Sequence, residues 1–233
     1  MVIAAAGSGE RLGAGGPKAF VPLGGRPMIE WSLDAFRASE AVRSIVVAVP
    51  PGQEPSLGED VRIVAGGDTR AQSVSNALEE VGTELVAIHD AARPLVAAEL
   101  IEALVATLGA EADAAGAIAA TPIPDTIKRA TAGDESNRSF SFQGNQKAHL
   151  EVERTLDRSR LWAAQTPQVF RTKVLREALD VDAETRDAAT DEAMLVEAAG
   201  GTVLIHPTSP ENLKVTTPLD LKLAELVLAE RAG

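Results

Sequence analysis

Short, mostly apolar runs alternate along the chain with stretches in which apolar residues recur every three or four positions. Val2 to Ala6, Ile45 to Val49, Val61 to Ala65, Leu85 to His89 and Ala114 to Ala120 are runs of the first kind. They predict strands, and the continuous Ile45 to Val49 run is what a parallel sheet covered on both faces requires. Between them, Ile29, Leu33 and Phe36 hold helical spacing, as do Ala71, Val74, Ala77, Leu78 and Val81, and then Leu100, Ile101, Leu104 and Leu108. These stripes predict the covering helices, and Pro27 stands at the favoured first-turn position of the first one. Strand, loop and helix thus follow one another up to residue 120, which is the pattern of an open α/β sheet.

From Thr121 the rhythm changes. Thr121 to Lys128 predicts a short strand leaving the main sheet, and the alternation Ser139-Phe140-Ser141-Phe142 predicts a hairpin strand. The pattern returns to the body at Gln165 to Phe170. A helix is predicted at Val174 to Leu179, and another is capped by Thr190 and ended by Gly200-Gly201. Strands are expected at Thr202 to His206 and Asn212 to Thr216. A last helix opens at Thr217-Pro218-Leu219-Asp220, with Leu219, Leu223, Leu226 and Val227 as its buried stripe. The expected architecture is a single α/β domain over 1–233. It has a Rossmann-like, mostly parallel sheet with helices on both faces, and a small protruding β-arm at about 125–160.

Composition narrows the function. The formal net charge of the 233-residue chain is −12, which argues against a general nucleic-acid surface. The chain has no cysteine, so disulfides and thiolate metal sites are excluded. No signal-peptide pattern and no apolar run long enough for a membrane span is present, and the cytoplasm is the default expectation. The three histidines are scattered and form no metal motif.

Against this acidic background, cations placed at glycine turns stand out. The first strand ends in Gly7-Ser8-Gly9-Glu10-Arg11-Leu12, and Pro17-Lys18 follows. Glycines let backbone N–H groups approach anionic oxygens closely. The dinucleotide fingerprint fails here, because Leu12 stands at its third glycine and the second strand ends Val49-Pro50-Pro51-Gly52 without an acidic residue. The Gly-Lys-Ser/Thr of the P-loop is absent too. Gly67-Asp68 and the Asp90/Arg93 pair also fall at strand ends, so these polar clusters converge on the face where open α/β sheets bind ligands.

The ordered set Ala5-Ala-Gly-Ser-Gly-x-Arg11, Pro17-Lys18, Gly66-Gly-Asp-x-Arg70-x-x-Ser73, His89-Asp-Ala-Ala-Arg-Pro94, Asp125-Thr126-x-Lys128, Thr166-Pro-Gln168, Thr190-Asp-Glu192 and Asn212-x-Lys-Val-Thr216 resembles the 2-C-methyl-D-erythritol 4-phosphate cytidylyltransferases nearly end to end. The resemblance implies cytidylyl transfer from CTP to methylerythritol phosphate, with magnesium or another divalent cation, in a homodimer. It implies that Arg11, Lys18 and Lys214 surround the triphosphate and are catalytic. It places Ala4, Ala5, Ala6, Gly7, Gly67, Asp68 and Ser73 around cytosine and ribose. Asp90, Arg93, Thr126, Arg158 and Thr190 are implied to meet the acceptor, Asp90 also lying near the metal and Arg158 reaching the partner's site from the arm. Ala19 departs from the family, which usually carries Gln there. A cousin that cytidylylates ribitol 5-phosphate is the alternative, because it shares the nucleotide half. His89 reads as structural, and Arg70 as either a phosphate ligand or an ion-pair former.

Overall fold

A computed structural model describes residues 1–7, 9, 12, 16–131 and 150–232. In chain order the strands are β1 (Val2–Ala4), β2 (Pro22–Leu23), β3 (Arg26–Pro27), β4 (Ile45–Val49), β5 (Val61–Ala65), β6 (Leu85–Asp90), β7 (Ala114–Pro122), β8 (Lys128–Ala130), β9 (Val152–Thr155), β10 (Trp162–Arg171) and β11 (Thr202–Pro207). The helices are α1 (Met28–Ala38), α2 (Arg70–Leu78), α3 (Ala98–Ala110), α4 (Thr172–Leu179), α5 (Ala183–Ala188), α6 (Glu192–Ala198) and α7 (Pro218–Ala232). The chain forms two compact units, one of residues 1–120 and 164–233, the other of residues 121–163.

The larger unit is built on a seven-stranded sheet in the order β11-β7-β10-β6-β1-β4-β5. β1 pairs in parallel with β4 and β6, β4 with β5, and β11 with β7, while β10 runs antiparallel to β6. Alternate residues of each strand serve opposite faces. Ile3, Val47 and Val49 join one core with Ile29, Leu33 and Phe36 of α1 and Ile101, Leu104 and Leu108 of α3. Val2, Val46, Ala48 and Ile88 join the other with α2, α4 and α6. This is the expected α/β sheet with helices on both faces. A third core gathers Val21, Leu23, Met28, Leu95, Val215 and Ala224, and joins the start of α1 to α7.

Four sequence expectations need correction. Thr121 to Lys128 is not one strand: β7 runs on to Pro122, residues 123–127 are irregular, and β8 begins at Lys128. Asn212 to Thr216 is an irregular segment, not a strand; it is fixed by single bonds, such as Val215 N–H to the Ala92 carbonyl at 2.8 Å. The cap of α6 is Asp191, whose side chain accepts from the Met194 N–H, and Thr190 lies exposed just before it. The expected stripe of α7 is largely its outer face. Leu219, Leu223 and Leu226 are 73%, 49% and 64% exposed, whereas Ala224 is fully buried. Leu221, Val227 and Leu228 pack beside Ala224, so Val227 alone of the expected set faces inward. The small inward residue, invisible to a count of large apolar side chains, lets the helix approach closely.

In the smaller unit β8 and β9 form an antiparallel pair, with Arg129 opposite Arg154 and the Arg129 guanidinium 3.2 Å from Glu153. The Ser139–Phe142 alternation lies outside the described residues. Among the described residues no helix is long and apolar enough to cross a membrane.

Candidate active site

The site follows from strand register. In the sheet, Ala4 stands opposite both Ala48 of β4 and Asp90 of β6, so the three strands end together. The chain beyond β1 stays in register for one more bond, Ala5 N–H to the Ala48 carbonyl at 2.9 Å, and then turns. The turn closes on itself, with Lys18 N–H donating to the Gly7 carbonyl at 3.1 Å. Gly9 holds φ +74°, and a Cβ there would meet the Gly16 carbonyl and Lys18 N at 3.0 Å. Only glycine fits a left-handed backbone pressed this closely against its own chain.

Beside it, β5 ends at Gly66, whose N–H donates to the Val49 carbonyl at 2.7 Å. A Cβ on Gly66 would stand 2.6 Å from the Ala6 Cβ, so the two loops touch because this residue has no side chain. Ser73 buckles the second loop onto α2. Its hydroxyl accepts from Gly67 N–H at 3.0 Å and donates to the Thr69 carbonyl at 2.9 Å. Thr69 caps α2 by accepting from Gln72 N–H.

The two loops, the end of β6 and the Lys214 segment enclose a cavity of about 660 Å³. Ala4, Ala5, Ala6, Gly7, Lys18, Gly67, Asp68, Ser73, Asp90 and Lys214 all line it, and so do Ala19 and Arg70. Expected nucleotide-site residues thus come together within the larger unit. Arg11 lies outside the described residues. Arg93 and Thr190 are not among the lining residues, and Thr126 and Arg158 are exposed residues of the smaller unit.

The charges at the cavity are ordered. Lys214 Nζ lies 2.6 Å from one carboxylate oxygen of Asp90, and Arg70 Nε donates to the other at 2.8 Å. Burial works against the charge on Asp90, but the adjoining Arg70 and Lys214 outweigh it and hold the carboxyl well below the usual range. Arg70 is also bonded to Glu192, Nη1 to Oε1 at 2.6 Å. The ion-pair reading of Arg70 therefore holds, and the cavity gains a fixed cation by it.

Beneath the carboxylate lies a buried polar layer. Thr166 Oγ1 accepts from Asp90 N–H at 3.0 Å and lies 3.2 Å from His89 Nδ1, while His89 Nε2 is 3.2 Å from the Arg93 carbonyl. A neutral imidazole with its proton on Nε2 satisfies every group in this chain. Burial pushes the His89 imidazolium down to about 3, so the ring is a neutral strut, as the sequence reading held. Arg93 donates to the Asn212 carbonyl at 2.8 Å, and the Asn212 amide donates to Gln165 and to the Thr166 carbonyl. These bonds set the segment that carries Lys214. Their donors sat inside the recognised motifs, but only folding reveals which backbone carbonyls they reach.

A glycine-walled cavity at the carboxyl ends of parallel strands, with cations fixed along it, is the arrangement expected of the nucleotidyltransferase class. A family model described as IspD, 2-C-methyl-D-erythritol 4-phosphate cytidylyltransferase, matches residues 1–230, and the chain belongs to that family. It is 42% identical to a bifunctional enzyme IspD/IspF of Anaeromyxobacter dehalogenans over 97% of its own length, spanning 56% of that protein. It is 39% identical to a 2-C-methyl-D-erythritol 4-phosphate cytidylyltransferase of Ralstonia nicotianae, with 99% of this chain and 92% of the relative covered. Among solved structures, that of the Thermus thermophilus 2-C-methyl-D-erythritol 4-phosphate cytidylyltransferase superposes with a TM-score of 0.76 at 32% identity, covering 98% of each chain.

Proposed function

We infer that the chain transfers the cytidylyl group of CTP to 2-C-methyl-D-erythritol 4-phosphate, releasing pyrophosphate, in isoprenoid precursor synthesis. Family membership supplies the reaction. The observation that carries the residue roles is the Lys214–Asp90–Arg70 cluster at the edge of the glycine-walled cavity.

The acceptor's phosphate oxygen attacks the α-phosphorus of CTP. A new P–O bond forms, the bond to the bridging α–β oxygen breaks, and pyrophosphate leaves with that electron pair. The attacking oxygen is already ionised at neutral pH, so no general base is required, and a neutral buried His89 agrees with this. The protein's task is to place the two anions together and offset the charge that develops. Lys18, Lys214 and Arg11 take that task in this reading. Ala4 to Gly7, Gly67, Asp68 and Ser73 take cytosine and ribose, the last by shaping the loop. Arg93, Thr126 and Thr190 serve the acceptor, with Arg158 reaching the site of a second subunit in a homodimer.

Magnesium is the proposed cation. Among the described residues no group of three or more potential ligands gathers; the Asp90 carboxylate at the cavity wall would hold the cation by sharing an oxygen that it already gives to Arg70 or Lys214. A single carboxylate would serve for a magnesium ion that came in with the nucleotide. When bound, it offsets phosphate charge.

The test is pyrophosphate release with CTP and magnesium, offering methylerythritol phosphate and ribitol 5-phosphate in parallel. Release with the first acceptor alone is expected. Release with the second alone keeps the nucleotide site and moves the acceptor. In the same assay, Lys18→Ala is expected to lower turnover by about 10²- to 10³-fold in a folded protein; wild-type turnover removes Lys18 from the machinery.

A further inference from the structure

A carboxylate removed from water must be paired or it loses its charge. Glu192, the first residue of α6, has a side chain only 1% exposed, and one of its oxygens has no hydrogen-bond partner. Its other oxygen accepts from Arg70 Nη1 at 2.6 Å. Burial pushes the Glu192 carboxyl up, and Arg70 opposes that push. A buried ion pair of this kind is weak ground for stability, since apolar residues of like volume often do as well.

Its position says more. Arg70 faces two carboxylates with different nitrogens, Nη1 toward Glu192 and Nε toward Asp90. Asp90 gives its second oxygen to Lys214 at 2.6 Å. Charges therefore alternate in a chain, Glu192, Arg70, Asp90, Lys214, drawn from α6, α2, β6 and the segment before α7. The last three line the cavity, and Glu192 stands behind them. The guanidinium is planar, so holding Nη1 fixes the direction in which Nε points. Turning the Asp90 carboxylate would break both of its ion pairs at once.

We propose that Glu192 is a positioning residue for nucleotidyl transfer: it fixes Arg70, and through Arg70 the Asp90 carboxylate that holds Lys214 against the cavity. The inference rests on the reading that Lys214 offsets charge at the reacting phosphate. Loss of Glu192 leaves the cavity's own groups in place but slack. Turnover then suffers more than nucleotide binding, because slack costs most where geometry is tightest, in the transition state.

The experiment compares Glu192→Gln, Arg70→Lys and the double variant in steady-state turnover, with thermal melting of each. Glu192→Gln keeps shape and removes charge; Arg70→Lys keeps charge and removes the two-point fork. Each single variant is expected to lower kcat by roughly 10- to 100-fold, with KM for CTP within about 2-fold of the unsubstituted chain. The double variant is expected to be no worse than the poorer single one, because both cut the same connection. Unchanged kcat in Glu192→Gln, or losses that multiply in the double variant, overturns the proposal. So does a loss of rate that only follows the folded fraction seen by melting. If Glu192→Gln does not fold, Arg70→Lys decides by the same kcat and KM criteria. The unsubstituted chain is assayed alongside; its silence with both acceptors overturns the activity and this inference with it, whereas its activity beside an unaffected Glu192→Gln overturns this inference alone.

Discussion

His89 braces the candidate site from beneath. It is fully buried, packs edge-on against Phe36 at 5.0 Å, and joins Thr166 to the Arg93 carbonyl. Its imidazolium lies at about 3 in the fold because burial disfavours the charge, against the ordinary value of 6.5 that the unfolded chain retains. Between those values the unfolded chain binds more protons than the folded one, so stability is lost as pH falls through 6.5 toward 3. At pH 5 the loss from this one group is about 2 kcal/mol relative to neutral pH. Urea unfolding at pH 7 and pH 5 checks this, with His89→Asn as the control. The slope is expected to flatten in that variant; an equal slope in both assigns the acid sensitivity to other groups. The sequence reading gives His89 a structural role, and its burial and its bonds to Thr166 and the Arg93 carbonyl agree with that. It left Arg70 open between two roles, because a guanidinium near a glycine turn can pair with a ligand or with the protein. The choice depends on Glu192, distant in sequence and joined to Arg70 only by folding.

At the scale of elements, apolar periodicity fixed the buried strands well and the last helix poorly. β4 is buried at every position, and a run of Ile and Val has no other use in a two-sided sheet. α7 misleads because its inward contact is made by Ala224, flanked by Leu221, Val227 and Leu228, while three leucines face outward. Close approach rather than side-chain size sets that packing. Leu223→Gln is accordingly expected to change unfolding free energy by less than about 0.5 kcal/mol. Ala224→Asp, placing a charge where nothing is exposed, is expected to cost more than about 2 kcal/mol. Chemical unfolding of the two variants decides; a large loss in Leu223→Gln restores the leucine face as the buried one. The segment before α7 was equally hard to foresee. Its extended, β-prone residues suggest a strand, but its backbone groups are taken by the Arg93 guanidinium and the Ala92 carbonyl rather than by a neighbouring ladder, and the Asn212 side-chain amide donates to the Thr166 carbonyl.

For the whole molecule, the site is legible in the larger unit and much less so in the smaller one. Glycine turns and cations at strand ends are marks that parallel topology alone brings together, as the common register of Ala4, Ala48 and Asp90 shows. Thr126 and Arg158, by contrast, are exposed residues that flank an antiparallel pair, Thr126 before β8 and Arg158 after β9, where the sequence pattern carries little packing information. If Arg158 serves a second copy, the protein sediments as a dimer, and Arg158→Ala raises KM for the acceptor well beyond any change for CTP. A monomer at assay concentration, or equal effects on both substrates, removes the exchanged-arm role.

The segment fixed by Arg93 and Asn212 also has a meaning in time. Synthesis delivers the glycine turn before Asp90, and Asp90 well before Lys214, so the pair that defines the site joins distant stretches of the message. A nascent chain that stops short of that segment carries the nucleotide loops and the acidic residue without the lysine that answers it. Translation through Lys214 is therefore the step that completes the pair with Asp90.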